Sequence, residues 1–228
     1  MEVSALTTRL LEAGLDLVQP FDVARYNERI ADRPGLPPLP LFGRAGALGL
    51  VIGNSRALWP RFIAALRSRQ ELLADDHPLD RYVAESIRSA AALVPARFEV
   101  RFSHDAGPRF VSMLDLAAAS GLAQAGPAYL AVHPEHGPWI SLRGVLVVDR
   151  DPIGVPKADP PVPCDGCSAP CTDALAKVQG LGVEAHWRSW IEVRDACPIG
   201  RSSRYGEAQL RYHYAKDRSA LFDEASRN

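Results

Sequence analysis

The run CDGCSAPC (164–171) places three of the chain's four cysteines within eight positions, and the fourth, Cys197, is followed directly by Pro198. Thiolates are soft ligands suited to zinc or iron–sulfur. A C-x2-C knuckle lets one loop offer two of them to one centre. Bacterial cluster runs add a third cysteine close behind and a proline directly after the last one. Structural zinc more often uses two separated pairs. The gaps here are two residues, three, and then 25 before Cys197, which departs from the compact bacterial run. In a cytosolic chain a disulfide is the weakest option, because the compartment keeps thiols reduced. Cys164, Cys167, Cys171 and Cys197 therefore form a candidate metal set: a 4Fe–4S cluster first, zinc second, free thiols third.

Other residues with chemical potential are fewer. Arg143 interrupts the apolar run ISLRGVLVV (140–148), and an unpaired guanidinium is costly to bury; it either meets a carboxylate or faces a cavity. His133 and His136 in VHPEHG (132–137) have a spacing that metals tolerate, but loop histidines more often cap or stay solvated. HWRSW (186–190) holds two indoles, either packed at the surface or lining a large planar ligand. No G-x-x-x-x-G-K-[ST] phosphate loop, no G-x-G-x-x-G opening a helix and no G-x-S-x-G elbow occurs.

The elements that must hold these residues follow from periodicity. Val3, Leu6, Leu10 and Leu11 mark a first amphipathic helix ending near Gly14, and residues 21–30 a second, short one. AGALGLVIGN (45–54) predicts a buried strand. Leu58, Phe62, Ala65 and Leu66 mark one helix, and Leu79, Val83, Ile87 and Ala90 or Ala91 another. Phe98, Val100 and Phe102 alternate with charge as a half-buried strand. Residues 111–126 predict a helix of unusually small residues. Two strand-like runs, 128–133 and 139–148, are joined by PEHGP. Residues 151–170 are proline-rich and irregular, and helical patches follow at 172–180 and 203–216. Helices and strands alternate without a clean βαβ repeat, so the class is α+β in one domain spanning 1–228, with a loop-rich, cysteine-bearing C-terminal third from 151 to 228.

With 26 basic and 27 acidic residues the 228-residue chain carries a formal charge of −1, which argues against a nucleic acid or an anionic membrane as partner. The first twenty residues spread charge through every turn, unlike a signal peptide, and no run approaches the roughly 20 apolar residues of a membrane span. The expected location is the cytoplasm.

Several blocks, in this order, resemble the CblC-type cobalamin-processing family of methylmalonic aciduria and homocystinuria type C: LVQPFDVARYNE (17–28), HPLDRYVAESI (77–87), VHPEHGPWISLRGVLVV (132–148), AHWRSWIEVRDA (185–196) and SSRYGEAQLRYHY (202–214). The stretch AAASGLAQAGPAYLAVHPEHGPWISLRG (117–144), CDGCSAPC and DACPIG (195–200) are also similar to epoxyqueuosine reductase, whose first iron–sulfur run here looks split by an insertion. The animal CblC proteins lack these cysteines. The chain is too short for that reductase's second cluster and lacks its basic transfer-RNA-binding character.

The resemblance implies a flavin reductase or nitroreductase-like α+β fold, with a mainly antiparallel central sheet flanked by helices. It implies a cavity for cobalamin bound with its lower base off cobalt. It implies removal of the upper ligand, by decyanation with reduced flavin or by dealkylation onto glutathione or another small thiol, with a flavin or ferredoxin-type reductase as donor. Carried over by position, Arg143 and Arg194 match arginines that engage glutathione, Arg218 is a loose match to a third, and Tyr205 and Trp190 match pocket aromatics. A family histidine is replaced here by Ala118 or Ala119. For a flat corrin, Ala119, Ser120 and Gly121 would supply a floor with close backbone approach. The strand edges at Ala128, Tyr129 and His133, and at Ile140, Ser141, Leu142 and Arg143, would supply partners for its amide rim. Two further readings compete: a cobalamin chaperone without turnover that holds structural zinc, and a flavin reductase with no corrin.

Overall fold

The computed structural model describes residues 2–155 and 162–226. Residues 156–161 of the proline-rich segment and the side chain of Val3 lie outside the described residues.

The chain opens with α1 (Glu2–Glu12), β1 (Leu17–Asp22) and α2 (Val23–Ile30). Leu6 and Leu10 of α1 are buried, but Leu11 is 47% exposed, so the stripe is narrower than the spacing suggests. The strand β1 has no forecast in the sequence, because Pro20 sits inside it. It lies at a sheet edge, where a residue without an N–H does little damage. Asp22 then starts α2 by accepting a hydrogen bond from the Ala24 N–H at 3.0 Å.

The central strand β2 (Leu48–Asn54) is buried along its whole length. After α3 (Leu58–Ser68), the single turn α4 (Gln70–Leu73) and α5 (Pro78–Ala91), the chain adds β3 (Phe98–Phe102), α6 (Met113–Ser120), a small ribbon of β4 (Gln124–Ala125) with β5 (Ala131–Val132), and β6 (Ser141–Val148). The main sheet has the order β1-β2-β6-β3, and all its pairs are antiparallel. The 128–133 run thus pairs back onto β4, while β6 runs down the middle of the sheet between β2 and β3.

Alternation along β2 and β6 divides the core. Leu48, Leu50, Ile52, Leu146 and Val148 pack on one face with Leu6, Phe62 and Tyr82 from α1, α3 and α5. Val51, Val145 and Val147 pack on the other with Tyr26, Leu116 and Ala119 from α2 and α6. A sheet covered on both faces needs apolar residues at nearly every position of its central strands, which is how both central strands read. The remaining helices are α7 (Pro170–Val178), α8 (Trp187–Asp195), α9 (Glu207–Tyr214) and α10 (Ser219–Ala225). No described helix is long and apolar enough to cross a membrane.

Candidate functional site

The start of β6 carries Ser141 and Arg143 toward one end of the sheet, where α8 and α9 bring Arg194, His213 and Tyr214. Ser141, Val183, Arg194, Tyr205, His213 and Lys216 line a cleft there of about 450 Å³, with Glu184 the one carboxylate among the described residues of its wall. Tyr205 is buried, its hydroxyl 3.0 Å from the Ser141 hydroxyl. Its ring meets Trp139 edge-on, with centroids 5.5 Å apart. Burial raises the Tyr205 pKa, although Arg194, the Ser141 hydroxyl and Arg143 pull it back. Arg194 donates to the Pro138 carbonyl and lies over the Trp139 and Tyr214 rings, 5.9 Å from each centroid.

Among the described residues Arg143 has no carboxylate against it. Its Nε donates to Asn54 Oδ1 at 2.7 Å, and Nη2 is buried with no partner, although the residue as a whole is only half-buried. Burial lowers its pKa, opposed only by the fields of Tyr205, Asp80 and Tyr212. Of the two options the sequence leaves for this residue, the one with a paired carboxylate is absent among its described contacts. His213 Nε2 is likewise buried and without a partner. Burial first, then Arg143, Arg194 and Lys216, pull the His213 pKa down to about 3, so the ring is neutral at physiological pH. Two orphaned buried nitrogens among three cations make a wall suited to an anionic or strongly accepting group.

The other expected corrin contacts are placed elsewhere. Ala119 and Ser120 are buried in α6, Ala119 within the core beneath the sheet. The Ser120 hydroxyl donates to the Ala117 carbonyl, and Gly121 ends the helix at φ 76°. Small residues here let α6 sit close to α2 and β1, and none of them lines this cleft. Ile140 is also in that core, and Leu142 packs against it. His133 accepts from the Glu135 and His136 N–H groups, the capping role expected of a loop histidine. Tyr129 is 77% exposed at φ 58°. Trp190 donates to the Leu181 carbonyl at 3.2 Å and packs near Ala128, away from the cleft. Arg218 clamps the carbonyls of Leu73 and Asp75, a structural role. The aromatic that does meet Tyr205 is Trp139, and neither it nor His213, Lys216 or Asn54 stood out in the sequence. The available signal was Trp139 two residues before Ser141, and the HY that closes RYHY.

Behind this wall the four cysteines come together. Cys164, Cys167, Cys171 and Cys197 line one cavity with Ala128, Pro138, Val193 and Ile199, and none forms a disulfide. Burial raises the pKa of Cys164 and Cys197, and each of these thiols also feels Cys167 and Cys171. The loops that hold Cys197 and His133 touch backbone to backbone: a Cβ on Gly137 would strike the Ile199 carbonyl, and one on Gly200 that of His136. Both glycines also have positive φ, 55° and 74°, so no other residue suits the junction.

Removing the Tyr205 hydroxyl tests the local geometry. Tyr205→Phe loses one partly buried hydrogen bond and is expected to cost about 1 kcal/mol of stability, measured by chemical denaturation. A cost near zero would mean that the Ser141 contact is not formed in solution.

An α+β protein with an antiparallel four-stranded sheet and a cationic, aromatic cleft at the end of its central strand is the class that these observations define. The chain is 28% identical over 216 residues to the human cyanocobalamin reductase / alkylcobalamin dealkylase, covering 86% of this chain and 71% of that protein. The mouse protein of the same name is 26% identical over 216 residues, 86% and 72% of the two chains. Among solved structures, the C. elegans B12-trafficking protein CblC, a human MMACHC homologue, superposes with a TM-score of 0.69 at 14% identity, over 99% of this chain and 97% of that one. No family model matches. The resemblance to CblC-type proteins read from the sequence is thus the similarity that the comparisons return, and the α+β architecture is shared with the nematode protein.

Proposed function

We propose that this protein is an enzyme that binds cobalamin with its lower base off cobalt and removes the upper ligand. It does so within a single domain of flavin reductase or nitroreductase-like type, in the reducing cytosol. The observation that carries the reading is the cleft itself: Arg194, Tyr205 and a neutral His213 line it at the end of β6, with Arg143 close behind them, in a chain similar to cyanocobalamin reductases / alkylcobalamin dealkylases over most of its length. The cleft is smaller than a corrin, so it takes one edge of the substrate or the co-substrate that attacks it. A small thiol such as glutathione fits the charge: Arg143 and Arg194 hold its carboxylates by charge-assisted hydrogen bonds. The thiolate attacks the alkyl carbon, the carbon–cobalt bond breaks, and both its electrons stay on cobalt, leaving a thioether. Decyanation needs reducing equivalents instead, for which a reduced flavin or a ferredoxin-type reductase is the class of donor.

Titrating hydroxocobalamin or methylcobalamin with micromolar protein is expected to move the corrin absorption bands to the base-off form. An unchanged spectrum at saturating protein would remove the proposal.

A further inference from the structure

We infer that Cys164, Cys167, Cys171 and Cys197 ligate one polynuclear iron–sulfur cluster. The four thiols come from two separate pieces of chain: the loop that runs into the first turn of α7, which holds Cys164, Cys167 and Cys171, and the residues after α8, which hold Cys197. They line a single cavity, and among the described residues the rest of its wall is hydrocarbon and backbone, with no carboxylate or imidazole side chain. A donor set of sulfur alone is the preference of soft metal centres. Backbone N–H groups already point at the sulfurs. That of Ala169 donates to Cys167 Sγ at 3.4 Å, and that of Ile199 reaches Cys197. Such N–H···S contacts orient thiolate ligands and set the potential of a cluster. Ala169 itself is held at φ 54°, a conformation that costs an ordinary residue about 1 kcal/mol or more and that the CDGCSAPC loop adopts beside its ligands.

Among the described residues no three His, Cys, Asp or Glu side chains already stand at metal-binding separations. A cluster gives each thiolate a different iron, whereas one zinc ion draws all four to a single point, and metal analysis decides between them. The space between the thiols is about 20 Å³, room for one water, so these partly buried cysteines must move apart to receive a cluster.

Its place in the fold is next to the cleft. Val193 of α8 lines the cysteine cavity, and its neighbour Arg194 lines the cleft. Pro138 lines the cavity, and Trp139 packs on Tyr205. A one-electron carrier there stands one layer of side chains from the arginine wall. The assignment does not depend on the corrin reading, and metal content tests it alone.

The test is expression of the full chain with added iron, anaerobic purification, and assay of iron, acid-labile sulfide and zinc. About four irons and four sulfides per chain are expected, with brown visible absorption. Cys167→Ser and Cys197→Ser should each lose most of both while keeping the far-ultraviolet circular dichroism of the parent. Should these variants fail to fold, the content of the parent protein still decides. One zinc per chain without sulfide, four freely titrating thiols without metal, or iron unchanged in folded Cys197→Ser would overturn the assignment.

Discussion

Arg143→Gln is expected to leave the fold standing, with stability within about 1 kcal/mol of the parent, while weakening thiol or corrin use by about 1.5–3 kcal/mol, roughly 10- to 150-fold. The asymmetry follows from where the charge is. In the folded protein Arg143 donates once, to Asn54, and Nη2 is left buried without an acceptor. Neutralising an uncompensated buried cation removes a desolvation cost, which offsets the packing and hydrogen bond that are lost. Glutamine retains a donor for Asn54, whose side chain is itself fully buried. The bound ligand, by contrast, loses a charge-assisted contact that no other group in the wall replaces in position. Urea denaturation would give the stability change, and titration with cobalamin and with glutathione the affinity change. A variant that unfolds while its remaining folded fraction handles both ligands normally would make Arg143 structural.

Acidification gives the second large effect. Between pH 6.5 and 4.5 the protein is expected to lose about 2–3 kcal/mol of stability, and His213→Gln to remove most of that slope. Free histidine titrates near 6.5, whereas burial and the fields of Arg143, Arg194 and Lys216 hold folded His213 at about 3. Over that interval the unfolded chain takes up a proton that the folded chain refuses, so stability falls as pH falls. His133 is shifted in the same direction, by burial and by His136, and accounts for a residual slope in the variant. The depressed carboxylates act lower: Glu85 and Asp217, held down by hydrogen bonds from Arg81 and Ser219 respectively, lose their contribution only as pH falls through their folded values, below the ordinary carboxylate range. Equilibrium unfolding at half-unit pH steps would separate the two regimes. A parent protein whose stability is flat from pH 6.5 to 4.5 would show that His213 is not desolvated as placed.

Much of the fold was legible because it is local. The runs 45–54 and 139–148 are apolar on both faces, and strands so composed must lie inside a sheet covered twice, as β2 and β6 do. Leu79, Val83 and Ile87 keep the helical interval and lie on the buried face of α5. The failures were also local in origin. Pro20 concealed β1, because a proline in a strand is harmless only at an edge, and edges are a property of the assembled sheet. The small residues of α6 admit a close neighbour, and in the fold α2 and β1 pack against them.

For the site, side-chain chemistry and spacing by themselves marked the four cysteines as one candidate set and Arg143 as out of keeping with its strand. They could not determine what Arg143 faces, because its neighbours Asn54, Tyr205 and His213 are 89, 62 and 70 positions away in the chain and reach it only when β2, the loop before α9 and α9 pack around the end of β6. Nor could they show that Cys197 reaches the other three thiols. That depends on Gly137 and Gly200 letting two backbones touch, a contact made by the absence of side chains and therefore without a periodic signature in the sequence.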